Sequence, residues 1–213
     1  MFAYVILLLS SVYFVLILYK LYVYFGYLMA KKSNKFGLTK EIVVEVLKGV
    51  SFRMQKFKKE LMDEYDLSFS NKNLSEIIGK IMEKVCADTF TKRLGYEVKR
   101  ALADKQPDLT FTKIDTPIEI KITSTDNSWT GGEFSKRPFD YLLVSWGGNF
   151  DEFFCCLVHL EKQDWKSNFQ NNFYGPSLPA KKVYEKKDKL VFFGDFEITP
   201  RGTIKIKREK IKL

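Results

Sequence analysis

Two nearly uninterrupted apolar runs constrain this chain most: residues 140–146 (DYLLVSW) and 152–160 (EFFCCLVHL). Successive side chains of a strand point to opposite faces, so a strand that is apolar at consecutive positions must be covered on both sides. Trp146-Gly147-Gly148-Asn149 between the runs is turn chemistry. The pair therefore predicts central strands of a sheet with a layer on each face. Shorter strand-like runs precede them at 96–101, 108–113 and 118–124, the last entered through Pro117, where a missing N–H is tolerated. Residues 161–188 read as polar loop. Two late strands, 189–199 and 203–213, read as a peripheral hairpin, the last with alternating Ile and basic residues.

Two helices come before the strands. From Thr39 to Tyr65, Ile42, Val43, Val46, Val50, Met54, Phe57, Leu61 and Tyr65 recur at steps of three and four. Arg53, Lys56, Lys58 and Lys59 lie off that stripe, on a solvated or a phosphate-facing surface. The second helix spans 74–94, with Asn73 and Glu76 resembling a capping box and Gly95 as the stop. At 100° per residue, Lys80, Lys84, Asp88 and Thr91 share a polar side. Gly79, Ala87, Phe90 and Leu94 lie opposite, with Glu83 among them. A carboxylate in that company is costly unless it is paired or liganded.

The chain has 213 residues, 46% of them hydrophobic and 29% charged, which excludes a disordered polymer and suits one sizeable domain. Cys86, Cys155 and Cys156 form no CxxC knuckle and are too few for a disulfide scaffold. They read as reduced packing residues. The lone histidine, His159, cannot build a zinc site or a two-imidazole relay, and reads as a core or sheet-edge residue. A net charge of +9 points to a polyanionic partner, nucleic acid or an anionic membrane surface.

Residues 2–19 carry no charge and, as a helix, span roughly 27 Å, close to a bilayer's hydrocarbon core. Lys31, Lys32 and Lys35 follow, which for a spanning segment puts the rest of the chain in the cytoplasm. Two readings stand side by side. In one, residues 1–30 are a hydrophobic leader that associates with the membrane through 2–28. In the other, Met29 is the true start.

Residues 118–122 (IEIKI) carry the chemistry. Glu119 and Lys121 share one face of the strand, and Ile118, Ile120 and Ile122 share the other. Asp108 opens the preceding strand. An antiparallel hairpin through TKIDTP brings it near the far end of 118–124. Two carboxylates and a lysine suit phosphodiester hydrolysis. Carboxylate oxygens bind Mg²⁺, the metal acidifies a water, and a lysine orients that water or stabilises charge on the phosphate.

Gln106-Pro107-Asp108 followed by Glu119-Ile120-Lys121 resembles the PD-(D/E)xK motif of restriction-endonuclease-like nucleases. Gly79, Glu83 and Leu94-Gly95-Tyr96-Glu97-Val98 resemble the helix–Gly–Tyr–strand lead-in of that superfamily. The resemblance covers roughly 74–146. It implies Asp108 and Glu119 as metal ligands with the Ile120 carbonyl, Lys121 as the catalytic lysine, and Glu83 as a further active-site carboxylate. The cofactor implied is Mg²⁺, for which Mn²⁺ substitutes.

The segment between the Glu-x-Lys strand and the next is similar to type II restriction endonucleases. Gly131-Gly132 permits close backbone approach. Lys136 and Arg137 can grip phosphates or read guanine, with Trp129 and Ser135 beside them as DNA contacts. Asn168, Gln170, Asn171 and Asn172 form an amide-rich loop, either able to pair with adenine or an ordinary polar loop.

The expected fold is α/β: a restriction-endonuclease-like core over 31–213, centred on about 74–160, with a mixed central sheet flanked by helices and an N-terminal hydrophobic helix. The expected function is Mg²⁺-dependent cleavage of double-stranded DNA by a homodimeric, sequence-specific type II enzyme with a cognate DNA methyltransferase. The alternatives are a repair, junction-resolving or membrane-tethered nuclease of the same superfamily, or a catalytically silent DNA-binding module. A lipid-surface protein would use the charge but leaves the Glu-x-Lys strand unexplained.

Overall fold

The structure, a computed structural model, describes residues 34–103, 105–124, 128–166, 176–186, 190–199 and 204–206. The chain divides into two compact units, Met1–Gly37 and Leu38–Leu213. The described part of the first is a turn in which the Gly37 amide donates to the Asn34 carbonyl at 2.9 Å. The expected leader helix lies outside the described residues. Among the described residues, no helix is long and apolar enough to cross a membrane.

Helix α1 (Lys40–Phe57) starts at Thr39, whose hydroxyl accepts from the Ile42 amide and satisfies one free donor of the first turn. Ile42, Val43, Val46, Val50 and Met54 are buried as the spacing requires. The stripe ends there, because Lys58–Asp63 forms a π-turn. Its wider turn rotates the next residues off the buried line, and Leu61 and Tyr65 end up exposed.

Helix α2 (Asn71–Leu94) begins one turn earlier than expected. Ser70, not Asn73, is the cap: its hydroxyl accepts from the Asn73 amide at 3.2 Å and donates to the Asn73 side chain at 3.0 Å. Asn73 is thus spent inside the first turn and caps nothing further on. Gly95 ends the helix in the left-handed region at φ 73°, as expected.

The main sheet runs β1 (Val98–Arg100), β2 (Leu109–Phe111), β3 (Thr116–Thr123), β5 (Phe139–Gly147), β6 (Glu152–Leu160), β8 (Leu190–Ile198) and β9 (Ile204–Ile206), in that spatial order. Only β3 and β5 are parallel; every other pairing is antiparallel. This is a mixed α/β architecture, and the two long apolar runs are its central strands β5 and β6. The register splits them cleanly. Leu142, Val144, Trp146, Cys155 and Leu157 share the face of Ile118 and Ile120, which α2 covers with α1 packed against it. The Trp146 indole donates to Ser75 of α2 at 3.0 Å and ties that layer down.

The other face is covered differently. β4 (Ser128–Thr130) pairs with β7 (Ser177–Pro179) in a small second sheet. With the 3-10 turns Glu133–Lys136 and Lys162–Asp164 and the short helix α3 (Ala180–Tyr184), it forms the second layer. Trp129, Phe134, Trp165, Leu178 and Val183 pack there onto Phe139, Tyr141, Leu143, Phe154, Cys156, Val158 and Leu160. The expected loop at 161–188 therefore holds β7 and α3. All three cysteines are buried and free, as packing residues. His159 is neither a core residue nor a bare edge: its Nδ1 lies 3.0 Å from Asp140 Oδ1 across the β5–β6 pair.

Candidate active site

The candidate site lies where β2 stops short. Pairing of β2 with β3 ends at Leu109 opposite Ile118, while β3 continues to Thr123. Beyond Ile118 the β3 edge has lost its β2 partner, and Asp108 occupies that position. The expected antiparallel hairpin forms, but its register sets Asp108 beside Glu119, not at the far end of the strand. β2 is only three residues long and turns tightly through Thr112–Asp115 into β3.

Main-chain contacts lock the pair. Asp108 Oδ2 accepts from the Ile120 amide at 2.7 Å, and the Asp108 amide donates to Glu119 Oε2 at 3.4 Å. In a strand the N–H and C=O of one residue leave the same edge, so the Ile120 carbonyl faces the same opening. Lys121 Nζ reaches back to Glu119 Oε1 at 2.8 Å. Glu119 is 7% exposed, far from a surface residue, because the small second sheet covers its face.

Glu83 is also buried, as its helical position requires, and its Oε1 takes the Lys80 ammonium at 2.7 Å. That contact holds the Lys80 ammonium above its ordinary range. Lys80 was expected on the polar side of the helix, and its side chain is exposed there. Its reach to i+3 is the sequence signal that could have placed it at the site.

Asp108 is the group whose acidity is most informative. Burial first, then the Glu119 charge, raise its carboxyl to about 7, with Glu83 adding to the same effect. Burial and the neighbouring carboxylates outweigh the Ile120 amide and the Lys121 charge, which act the other way. All the donors are oxygen, the choice of a hard cation. Among the described residues, no three His, Cys, Asp or Glu side chains gather into a cation cage. Asp108, Glu119 and the Ile120 carbonyl fit a cation that keeps several waters, as Mg²⁺ does.

The segment after β3 closes over the lysine. A Cβ on Gly132 would stand 3.6 Å from Lys121 Nζ. A Cβ on Gly131 would stand 2.9 Å from Ser135 and from Trp165, so only glycine fits there. The expected close approach is present. The expected DNA contacts divide. Trp129 is 1% exposed and donates to the Val144 carbonyl at 2.9 Å, so it anchors β4 to the sheet. Ser135 is buried and donates to the Gly132 carbonyl at 2.6 Å. Both were read from their place in the segment that leaves the Glu-x-Lys strand, which does not distinguish a contact surface from a folded-down turn.

Lys136 and Arg137 are exposed. Lys136 pairs with Glu133 at 2.8 Å. The Arg137 guanidinium lies 5.2 Å from the Phe134 ring centre and 5.7 Å from that of Phe139, which orients it at the rim. Asn168, Gln170, Asn171 and Asn172 lie outside the described residues.

Sequence reasoning missed Tyr141. It stands next to Glu119 in the parallel register, hidden in the apolar run. Only the register of β3 against β5 identifies it. No protein-family model matches the chain, and no curated protein is similar enough in sequence to match it.

Proposed function

We propose that this chain is a Mg²⁺-dependent endonuclease that hydrolyses DNA phosphodiester bonds. The observation that carries the reading is the cluster at the open edge of β3, where Asp108 and Glu119 are interlocked through main-chain amides and Lys121 lies on Glu119. Asp108, Glu119 and the Ile120 carbonyl would hold the cation. When bound, Mg²⁺ would neutralise phosphate charge and acidify a water.

The chain's own groups do the rest. Lys121, kept beside Glu119 and under Gly132, presents a cation to the attacking water or to the phosphate. Glu83 adds negative potential at Asp108 from the helix side. Arg137, and Lys136 once released from Glu133, meet the DNA backbone or a base. The net charge of +9 favours that encounter.

The finer reading is a sequence-specific type II restriction enzyme. A palindromic target then calls for a homodimer, since two sites related by a twofold axis must cut both strands. Digestion of unmethylated phage DNA by the full chain with Mg²⁺ tests both levels. Discrete fragments support the restriction enzyme. A smear supports the nuclease and overturns its sequence specificity. Intact DNA contradicts the proposal.

A further inference from the structure

The Tyr141 hydroxyl is buried and has no hydrogen-bond partner among the described residues. A buried tyrosine hydroxyl normally finds one. Tyr141 stands directly beside Glu119 across the parallel β3–β5 pair, so the two side chains leave the same face. Its ring is held on two sides, by Phe139 at 5.9 Å and by Trp165 at 5.2 Å between ring centres. The Trp165 indole N–H is likewise buried without a partner. Two unpaired polar groups on neighbouring rings therefore lie on the sheet face that carries Glu119.

Resting on the nuclease reading above, we propose that Tyr141 is a positioning residue: its hydroxyl binds one ordered water that also hydrogen-bonds Glu119, and this water holds Glu119 against Lys121. A buried water needs two or more polar partners, and Tyr141, Trp165 and Glu119 supply them. The charged groups that act on this hydroxyl are Glu119 on β3 and Arg137 before β5. The Tyr141 hydroxyl responds to them in the expected order. Burial pushes its acidity well out of the ordinary range, Glu119 pushes the same way and Arg137 opposes.

The test is Tyr141→Phe, which removes one oxygen and keeps the ring in its aromatic packing. A crystal structure of the wild type at better than about 2 Å should show a water shared by Tyr141 Oη and Glu119. In Tyr141→Phe that water should be gone and the 2.8 Å Glu119–Lys121 contact lengthened. Single-turnover cleavage should fall about tenfold with KM for DNA unchanged, the loss expected of one hydrogen bond. A merely structural role would lower stability and leave that split untouched.

A hydroxyl facing a dry apolar wall, or a variant with the same Glu119–Lys121 contact and the same rate, overturns the proposal. If the wild type cleaves no DNA but the water is present and its removal displaces Lys121, the positioning role stands and the nuclease reading fails. Should Tyr141→Phe not fold, Trp165→Phe removes the other donor, and the wild-type crystal structure alone decides whether the water exists.

Discussion

The Asp108 carboxylate is bonded to the amide of Ile120, the residue immediately after Glu119, at 2.7 Å. One acidic group is thus fixed by the backbone that carries the other. The two carboxylates cannot drift apart to relieve their repulsion, and burial together with that repulsion makes Asp108 a weaker acid, its pKa raised to about 7. A divalent cation held between them would relieve that repulsion.

This predicts an unusual dependence of stability on pH. The Asp108 carboxyl rises from 3.8 to about 7 in the folded chain. Between those values the folded state holds a proton that the unfolded state has lost, so stability should fall as pH rises through that window and level off above it. Thermal melts of metal-free protein should therefore show a lower Tm at pH 8 than at pH 5.5. Asp108→Asn should flatten this contribution, and Mg²⁺ should raise the wild-type Tm at pH 8. Identical pH profiles for wild type and Asp108→Asn would refute it.

Gly131 and Gly132 should respond differently to alanine. The added carbon at 131 meets Ser135 and Trp165 at 2.9 Å, so Gly131→Ala should destabilise the domain by about 1–3 kcal/mol, as overpacking does. At 132 the nearest atom is Lys121 Nζ at 3.6 Å, an ordinary contact, so Gly132→Ala should fold normally. Urea melts of the two variants measure the difference, and equal stabilities would contradict it.

Trp129 should behave as a core residue. Trp129→Ala removes a buried indole and its bond to Val144, and should cost about 3–5 kcal/mol of stability. Where the variant remains folded, its DNA affinity should match the wild type. A selective loss of DNA binding with unchanged stability would return Trp129 to the interface.

Arg137, braced by two aromatic rings, should matter more than Lys136. If Arg137 meets a phosphate, Arg137→Ala should weaken binding evenly across sequences and reduce the salt slope by about one. If it reads a base, the loss should be about 1–3 kcal/mol and confined to one position of the target. Affinities for cognate and scrambled duplexes at two salt concentrations separate the cases. No effect of Arg137→Ala on either duplex would remove this rim from the interface.

Periodicity revealed much of the layout. The β5 and β6 runs, the stripe through Met54 and the Gly95 stop are all local signals, and each is where its spacing put it. The pairing of Glu119 with Lys121 on one face also follows from the strand's period of two. What was not legible depends on partners distant in sequence. The burial of Trp129 and Ser135 arises because β4 pairs with β7, some fifty residues on, in a stretch whose composition reads as loop. The Ser70 cap was missed because Asn73 is an equally good capping type, and hydrogen bonding chose between them. Tyr141 needed the β3–β5 register, which no local pattern encodes.

Cleavage by three single variants tests the central claim most directly. Asp108→Asn, Glu119→Gln and Lys121→Ala should each keep the wild-type fold by circular dichroism and retain binding to DNA in Ca²⁺. Each should lower the single-turnover cleavage rate in Mg²⁺ by at least about a hundredfold, the scale of losing one group that stabilises transition-state charge. Wild type should cut with Mg²⁺ or Mn²⁺ and stop in EDTA. Undiminished cleavage by Lys121→Ala, or by wild type in EDTA, would contradict the account.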